Sequence, residues 1–281
     1  MNNFFKLNDG YVEILNADDF KSRLHTSKHL CNLAFMPDEM ENEKIESITF
    51  EEFSFSKTHL KNIMFKNCIF KNCLFIGSNF EDCSIHGCEF IDCNFFRCKI
   101  KNTYAKPQQF RRAITKREYA NVAVSLFNEL RNQYKEDSQR EFKSEAEYYF
   151  HKWKRIESVN AAKKDNQKWI NYTPRRVFSY LHYTLFGFGY RLRNLTLTTV
   201  VALFIMILVN YQYSPLIFVE SPQNMSLIKS TYFTITTMAT LGASGFSEFT
   251  EFGYIVVIAN VLVGISLLTF TANSILKRVV R

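Results

Sequence analysis

Residues 236–249 read TTMATLGASGFSEF. Their functional groups are hydroxyls and backbone amides, with no charge before Glu248. The chemistry of such a stretch is that of hard oxygen donors, which can replace the water around a small cation. The stretch lies between two long apolar runs, 195–211 and 252–275. Irregular polar backbone at membrane depth is tolerated only where protein or a water-filled cavity surrounds it.

Other chemistry is poorly represented. The six histidines, His25, His29, His59, His86, His151 and His182, are scattered and expected on surfaces or in packing. The seven cysteines contain no CxxC pair, so neither a metal site nor a cofactor is expected. No Ser/His/Asp order and no phosphate-binding loop stands out, so the chain is not expected to be an enzyme. The opening MNNFFKLNDGYVEIL carries acids and no continuous apolar core, unlike a secretory signal. The N-terminal half is therefore expected in the cytoplasm with its thiols reduced.

The elements that must position the polar loop come next. Residues 195–211 and 252–275 carry no charge, and the longer run would extend about 36 Å as a helix, enough to cross a bilayer. Tyr211 and Tyr213 suit the far interface. Arg191 and Arg193 precede the first run, and Lys277, Arg278 and Arg281 follow the second. The connector holds Lys229 against Glu220, Glu248 and Glu251. The positive-inside rule then puts both ends in the cytoplasm and the connector outside a cell (inner) membrane. Ser226–Ala239 is mostly apolar but too short to cross, so it is predicted to be a re-entrant helix. Its C-terminal partial charge would favour a cation.

The net charge of +8 is concentrated. Residues 107–194 hold 18 Lys/Arg against 9 Asp/Glu. Within them, 163–194 is basic and aromatic and is predicted to lie in the membrane interface, near anionic headgroups of the inner leaflet. Thr173 is the expected cap of that helix, with Pro174 in its first turn. A nucleic-acid partner is not expected, because a membrane segment follows at once. Residues 107–162 show helical spacing. Tyr119, Val122, Ala123, Leu126, Phe127 and Leu130 share one face, and Ala146, Tyr149, Phe150 and Trp153 another. Ser138 with Glu141 forms a capping-box signature, and a helical hairpin is predicted.

Residues 48–106 have a different period. An apolar residue recurs at every fifth position, from Phe50, Phe55 and Leu60 through to Phe90, Phe95 and Ile100, eleven in succession. Two places before each stands a second, generally small or apolar residue, including Cys68, Cys73, Cys83, Cys88, Cys93 and Cys98. A period of five fits neither helix nor plain strand. This pattern resembles the pentapeptide-repeat family. The resemblance implies a right-handed quadrilateral β-helix in which both residues point inward and four repeats make one coil. Cys68 would stack on Cys88, and Cys73 on Cys93. A DNA-mimic role known in that family would need an acidic repeat region; this one has 7 basic and 6 acidic residues. Residues 1–47 show no clear period and are expected to be an irregular lead-in or cap.

The order span, short helix, T-x-G loop, span resembles the two-transmembrane potassium channel family. The whole arrangement, with GFGYRLR at 187–193, resembles bacterial pentapeptide-repeat ion channel proteins. It implies a mixed fold: the β-helix, a helical linker, and an all-α two-span pore domain over 195–281. It also implies a homotetramer around one pore, with Thr240, Leu241, Gly242, Ala243, Ser244 and Gly245 as an ion-binding filter. Glu248 and Glu251 would gather cations at the outer mouth, and Gly264 would be a gating hinge. The permeant ion would be K⁺ or another monovalent cation. After Gly242 the chain departs from the usual TVGYG, giving Ala243, Ser244, Gly245 and Phe246. A second alignment sets ASGFS on the single-glycine filters of Trk- and Ktr-type transporters. Both predict reduced K⁺ selectivity. The alternative function is a membrane-anchored scaffold whose repeats bind a cytoplasmic partner.

Overall fold

The computed structural model describes residues 4–134, 140–164, 169–219, 225–242, 245–246 and 248–279. The chain divides into two compact units, Met1–Arg176 and Val177–Arg281.

The first unit is built on short parallel strands. They are β1 (Val12–Ile14), β2 (His29–Phe35), β3 (Glu39–Glu41), β4 (Lys44–Glu46), β5 (Thr49–Ser54), β6 (His59–Lys61), β7 (Met64–Lys66), β8 (Ile69–Lys71), β9 (Asn79–Glu81), β10 (Ser84–His86), β11 (Glu89–Ile91) and β12 (Lys99–Lys101). They form three parallel sheets, ordered β1-β2-β5-β8-β11, β4-β7-β10 and β3-β6-β9-β12. From β2 onward, paired residues stand twenty apart, as in Phe50 with Phe70 and Phe70 with Phe90. A further parallel column consists of single bridges, Ser54 to Leu74 to Asn94.

Period five becomes burial in this geometry. Every residue of the apolar series from Phe50 to Ile100 is buried, and so is every residue two places before it. Phe50, Phe70, Phe90 and Phe110 stack nearly parallel, with successive ring centroids 5.0, 4.7 and 4.6 Å apart. Each such ring removed from water contributes about 1.5–3 kcal/mol. The six repeat cysteines are all buried. The Cys73 thiol donates to the Phe50 carbonyl and the Cys93 thiol to that of Phe70, both at 3.4 Å. They behave as small hydrophobes with one weak donor.

A third register accompanies these two. From Asn42 to Asn102, every fifth residue has positive φ. Nine of the thirteen are Asn, Asp or Gly, with φ between 47° and 68°. These types adopt the left-handed conformation at least cost. They turn the chain between strands. On the outer face, residues twenty apart return above one another and opposite charges meet: Lys61 pairs with Glu41 at 2.7 Å and Lys101 with Glu81 at 2.5 Å.

The ladder starts earlier than residue 48. Leu30, Phe35, Met40 and Ile45 keep the period of five and are buried, and β2, β3 and β4 pair with β5, β6 and β7. Part of the segment read as an irregular lead-in is thus regular. The companions two places earlier hid the pattern: they include the charged Lys28, Asp38 and Glu43 in place of small or apolar residues. Helix α1 (Ala17–Thr26), capped by Asn16, covers this end with Phe20. The Phe20 ring lies 5.2 Å from Phe35 and 5.9 Å from Phe53.

The other end is closed by α2 (Ala120–Gln133). Gln133 Oε1 accepts from the Thr103 amide at 3.1 Å, and the Tyr134 hydroxyl donates to the Ala105 carbonyl at 2.6 Å. Helix α3 (Arg140–Lys164) packs antiparallel to α2. Phe127 stacks on Tyr149, Arg131 pairs with Glu147, and the Arg131 guanidinium lies 3.8 Å from the Phe150 ring centre. Ser138, the expected cap of α3, lies outside the described residues.

Helix α4 (Trp169–Phe186) corrects one expectation. It is already helical at Trp169, so Thr173 is not its cap, and Pro174 lies inside the helix rather than in its first turn. The usual link between proline and helix starts does not hold at Pro174; an interior proline removes one donor but need not end a helix.

The second unit contains α5 (Leu192–Gln212), α6 (Ser214–Ile217), α7 (Leu227–Met238) and α8 (Glu251–Val279). Leu192–Gln212 and Glu251–Leu276 are long and apolar enough to cross a membrane. Before α5 the chain reverses through Gly187, Phe188 and Gly189, all with positive φ. Arg191 Cβ stands 2.9 Å from where a Cβ on Gly187 would be.

Candidate functional site

The loop that could meet a cation follows α7. Ser226 caps α7 by accepting from the Lys229 amide at 3.2 Å, as its place before an apolar helical run suggests. The short helix expected over 226–239 is observed.

Three contacts fix α7 between the long helices. The Ser230 hydroxyl donates to the Ile207 carbonyl of α5 at 2.9 Å. Asn210 of α5 donates to Thr234 Oγ1 at 2.8 Å, and Asn210 and Asn260 of α8 face each other at 3.4 Å. Asn210, Thr234 and Asn260 are all fully buried. At the far end of α7, the Met238 carbonyl packs against Gly264 of α8, where an added Cβ would lie 2.1 Å from the oxygen.

These contacts define one face of α8. Gly253, Val256, Asn260, Gly264, Leu267 and Ser274 are buried at helical spacing. Four of the six are small or polar, which allows close backbone approach. The other faces carry exposed Ile255, Ile258, Leu262, Ile265 and Leu268. Helix α5 exposes Leu197, Val200, Phe204 and Ile205. Near the end of α8, Asn273 is exposed, whereas Ser274 is buried.

Helix α7 ends in a Schellman arrangement. The Leu241 amide donates to the Thr236 carbonyl at 2.9 Å, and the Thr240 amide to that of Thr237 at 3.1 Å. Thr240 takes the left-handed position with φ 59°, unusual for a β-branched residue. Gly242 follows with φ 87° and Gly245 with φ 94°. Thr240, Leu241, Gly242 and Gly245 are all exposed. Ala243 and Ser244, the other two expected filter residues, lie outside the described residues.

The downstream end of the loop is anchored. Phe246 stacks on Phe218 at 5.5 Å and meets Phe233 edge-on at 5.0 Å. The Val219 amide donates to the Glu248 carbonyl at 2.9 Å, and the Thr250 amide to that of Ile217 at 3.0 Å. Thr250 Oγ1 also accepts from the Gly253 amide at 3.0 Å, capping α8. Glu248 and Glu251 are exposed. Glu251 occupies the first turn of α8, where a carboxylate suits the helix dipole.

A second set of contacts joins α4 to the other end of α8. Phe186 stacks on Phe270 with centroids 4.0 Å apart, and His182 lies 6.0 Å from the same ring. Neither this junction nor the Asn210–Asn260 pair was found from sequence. Both asparagines lie in or beside runs read only as apolar.

In the first unit, burial pushes the Cys83 and Cys98 thiols up to about 11 and about 12, and the Cys73 thiol well above its ordinary range. These are inert, structural thiols. Cys31 alone among the seven is exposed.

Residues 58–95 match the family described as pentapeptide repeats, in eight copies. No curated protein matches the chain.

Proposed function

We propose that this protein is a cation channel of the two-span type, in which several copies, four on the family resemblance, surround one pore. The observation that supports it most is the setting of α7. A capped twelve-residue helix is anchored to α5 by buried polar contacts and packs its last carbonyl against Gly264 of α8, yet Thr240, Leu241, Gly242 and Gly245 beyond it are exposed. A plain membrane anchor has no use for that construction. Exposed irregular backbone beside two spanning helices needs protein or a water-filled cavity around it. Neighbouring copies would supply both, with the apolar outer faces of α5 and α8 against lipid and each other.

In this reading Thr240 to Gly245 line the filter. Glu248 and Glu251 concentrate cations at the external mouth, and their field is multiplied by the number of copies. K⁺ is the expected ion, with discrimination reduced by the departure from TVGYG. Gly264 bends α8 in gating, and the Phe186–Phe270 stack transmits motion of α4 to α8. The repeats close into a right-handed, four-sided β-helix in the cytoplasm.

The test is purified full-length protein in liposomes, with reversal potentials read in K⁺, Na⁺ and Cl⁻ gradients. A potential following the K⁺ gradient supports the proposal. Absence of conductance from folded protein favours the scaffold, in which the helices serve as an anchor.

A further inference from the structure

We infer that His29, Cys31 and Glu51 form a binding site for a thiophilic divalent cation of the Zn²⁺ class. The argument begins with strand alternation. Leu30 points into the core of β2, so His29 and Cys31, on either side of it, lie on the outer face. Glu51 stands directly beside Cys31 in the paired strand β5. The His29 ring nitrogen Nε2 and Glu51 Oε2 are 3.0 Å apart. One ligand atom from each of the three residues lies within 4.8 Å of the other two.

Imidazole nitrogen, thiolate sulfur and carboxylate oxygen are the three donor types that Zn²⁺ takes. With metal–ligand bonds of about 2.0–2.3 Å, tetrahedral ligands sit roughly 3.3–3.6 Å apart. Closing from 4.8 Å needs shifts on the order of 1 Å, within reach of side-chain rotation at an exposed site. The neighbouring ion pairs of the ladder, such as Lys61 with Glu41 and Lys101 with Glu81, offer no such set. Among the described residues this is the one group of three His, Cys, Asp or Glu side chains with that proximity. Sequence spacing could not show it, because Glu51 arrives only through the twenty-residue return of the chain. Three protein ligands leave a fourth position for water or an incoming group. A bound ion would clamp β2 to β5 near the end covered by α1.

The test uses the full-length protein in detergent and does not depend on conduction. Zn²⁺ is titrated against a chromophoric chelator, and Co²⁺ is bound separately to read the thiolate-to-cobalt absorption. Wild type should bind one ion per chain and show the cobalt–thiolate band. Cys31→Ser should lose the band, and His29→Gln and Glu51→Gln should each weaken Zn²⁺ binding at least tenfold. Zn²⁺ should raise the thermal midpoint of wild type and not that of Cys31→Ser. Equal affinity in wild type and Cys31→Ser, or no binding at micromolar free Zn²⁺, would overturn the inference.

Discussion

The Met238 carbonyl oxygen occupies the space in which a side chain on residue 264 would begin, 2.1 Å from the Cβ position of Gly264. The end of the short helix therefore rests directly on the backbone of the long one. Gly264→Ala should force the two apart. Overpacking of this kind costs about 1–3 kcal/mol. The expected outcome is a lowered thermal midpoint in detergent. An alanine variant as stable as wild type would show that the contact yields easily.

The pair Asn210 and Asn260 joins the two long helices at a point where both side chains are fully buried. Such bonds in a membrane average about 0.6 kcal/mol and reach about 1.7 kcal/mol. A double-mutant cycle on Asn210→Ala and Asn260→Ala, read by stability in detergent, should give a coupling in that range. Additive single effects would remove this bond from the account.

Cysteine accessibility separates core from surface. Native protein treated with a thiol reagent should modify one cysteine per chain rapidly, Cys31, and the other six only after unfolding. Two or more fast-reacting thiols in the native state would contradict the burial of the repeat columns.

Acid should loosen the repeat region through its surface ladder. Hydrogen bonds from Lys66 and then Lys44 hold the Glu46 carboxyl at about 2, below its ordinary 4.5. A depressed carboxylate stabilises the fold above its unfolded value and loses that contribution as pH falls through the folded one. The window is thus from about 4.5 down to about 2. Glu41 and Glu81 shift the same way, through Lys61 and Lys101. Glu46→Gln should flatten the stability profile across that window, and the difference from wild type should shrink in high salt, because these ion pairs lie at the solvent surface. Parallel profiles for the two proteins would assign the acid sensitivity elsewhere.

In the proposed channel, the repeats regulate and the loop after α7 conducts. Removing residues 1–106 should change open probability while leaving ion selectivity ratios unchanged. A shift in those ratios would mean that the repeats act on the pathway itself.

Legibility in the sequence followed range of interaction. The inward columns of the repeats were readable because each residue obeys a local rule, one position in five, and the structure buries all of them. The same rule was lost upstream of residue 48, where the companion positions two places before the centres hold the charged Lys28, Asp38 and Glu43. The left-handed corners were visible in principle as recurring Asn, Asp and Gly two places after each centre, a signal that the louder phenylalanines obscured. The α7 helix was legible from its apolar composition and its length, too short to cross a membrane. What escaped depends on residues far apart in the chain: Asn210 on Asn260, Phe186 on Phe270, and His29 beside Glu51. No local period marks such pairs; only the fold brings them together.

The central proposal is that the loop 240–245, of which Thr240, Leu241, Gly242 and Gly245 are exposed, serves a permeant cation. The most direct measurement is the reversal potential of wild-type protein in planar bilayers under opposed K⁺ and Cl⁻ gradients, repeated with Gly242→Ala, since residue 242 has φ 87° and an alanine there is strained. A wild-type potential near the K⁺ equilibrium value, lost or displaced in Gly242→Ala, is the predicted result. A potential that tracks Cl⁻, or one identical in the two proteins, would contradict the claim.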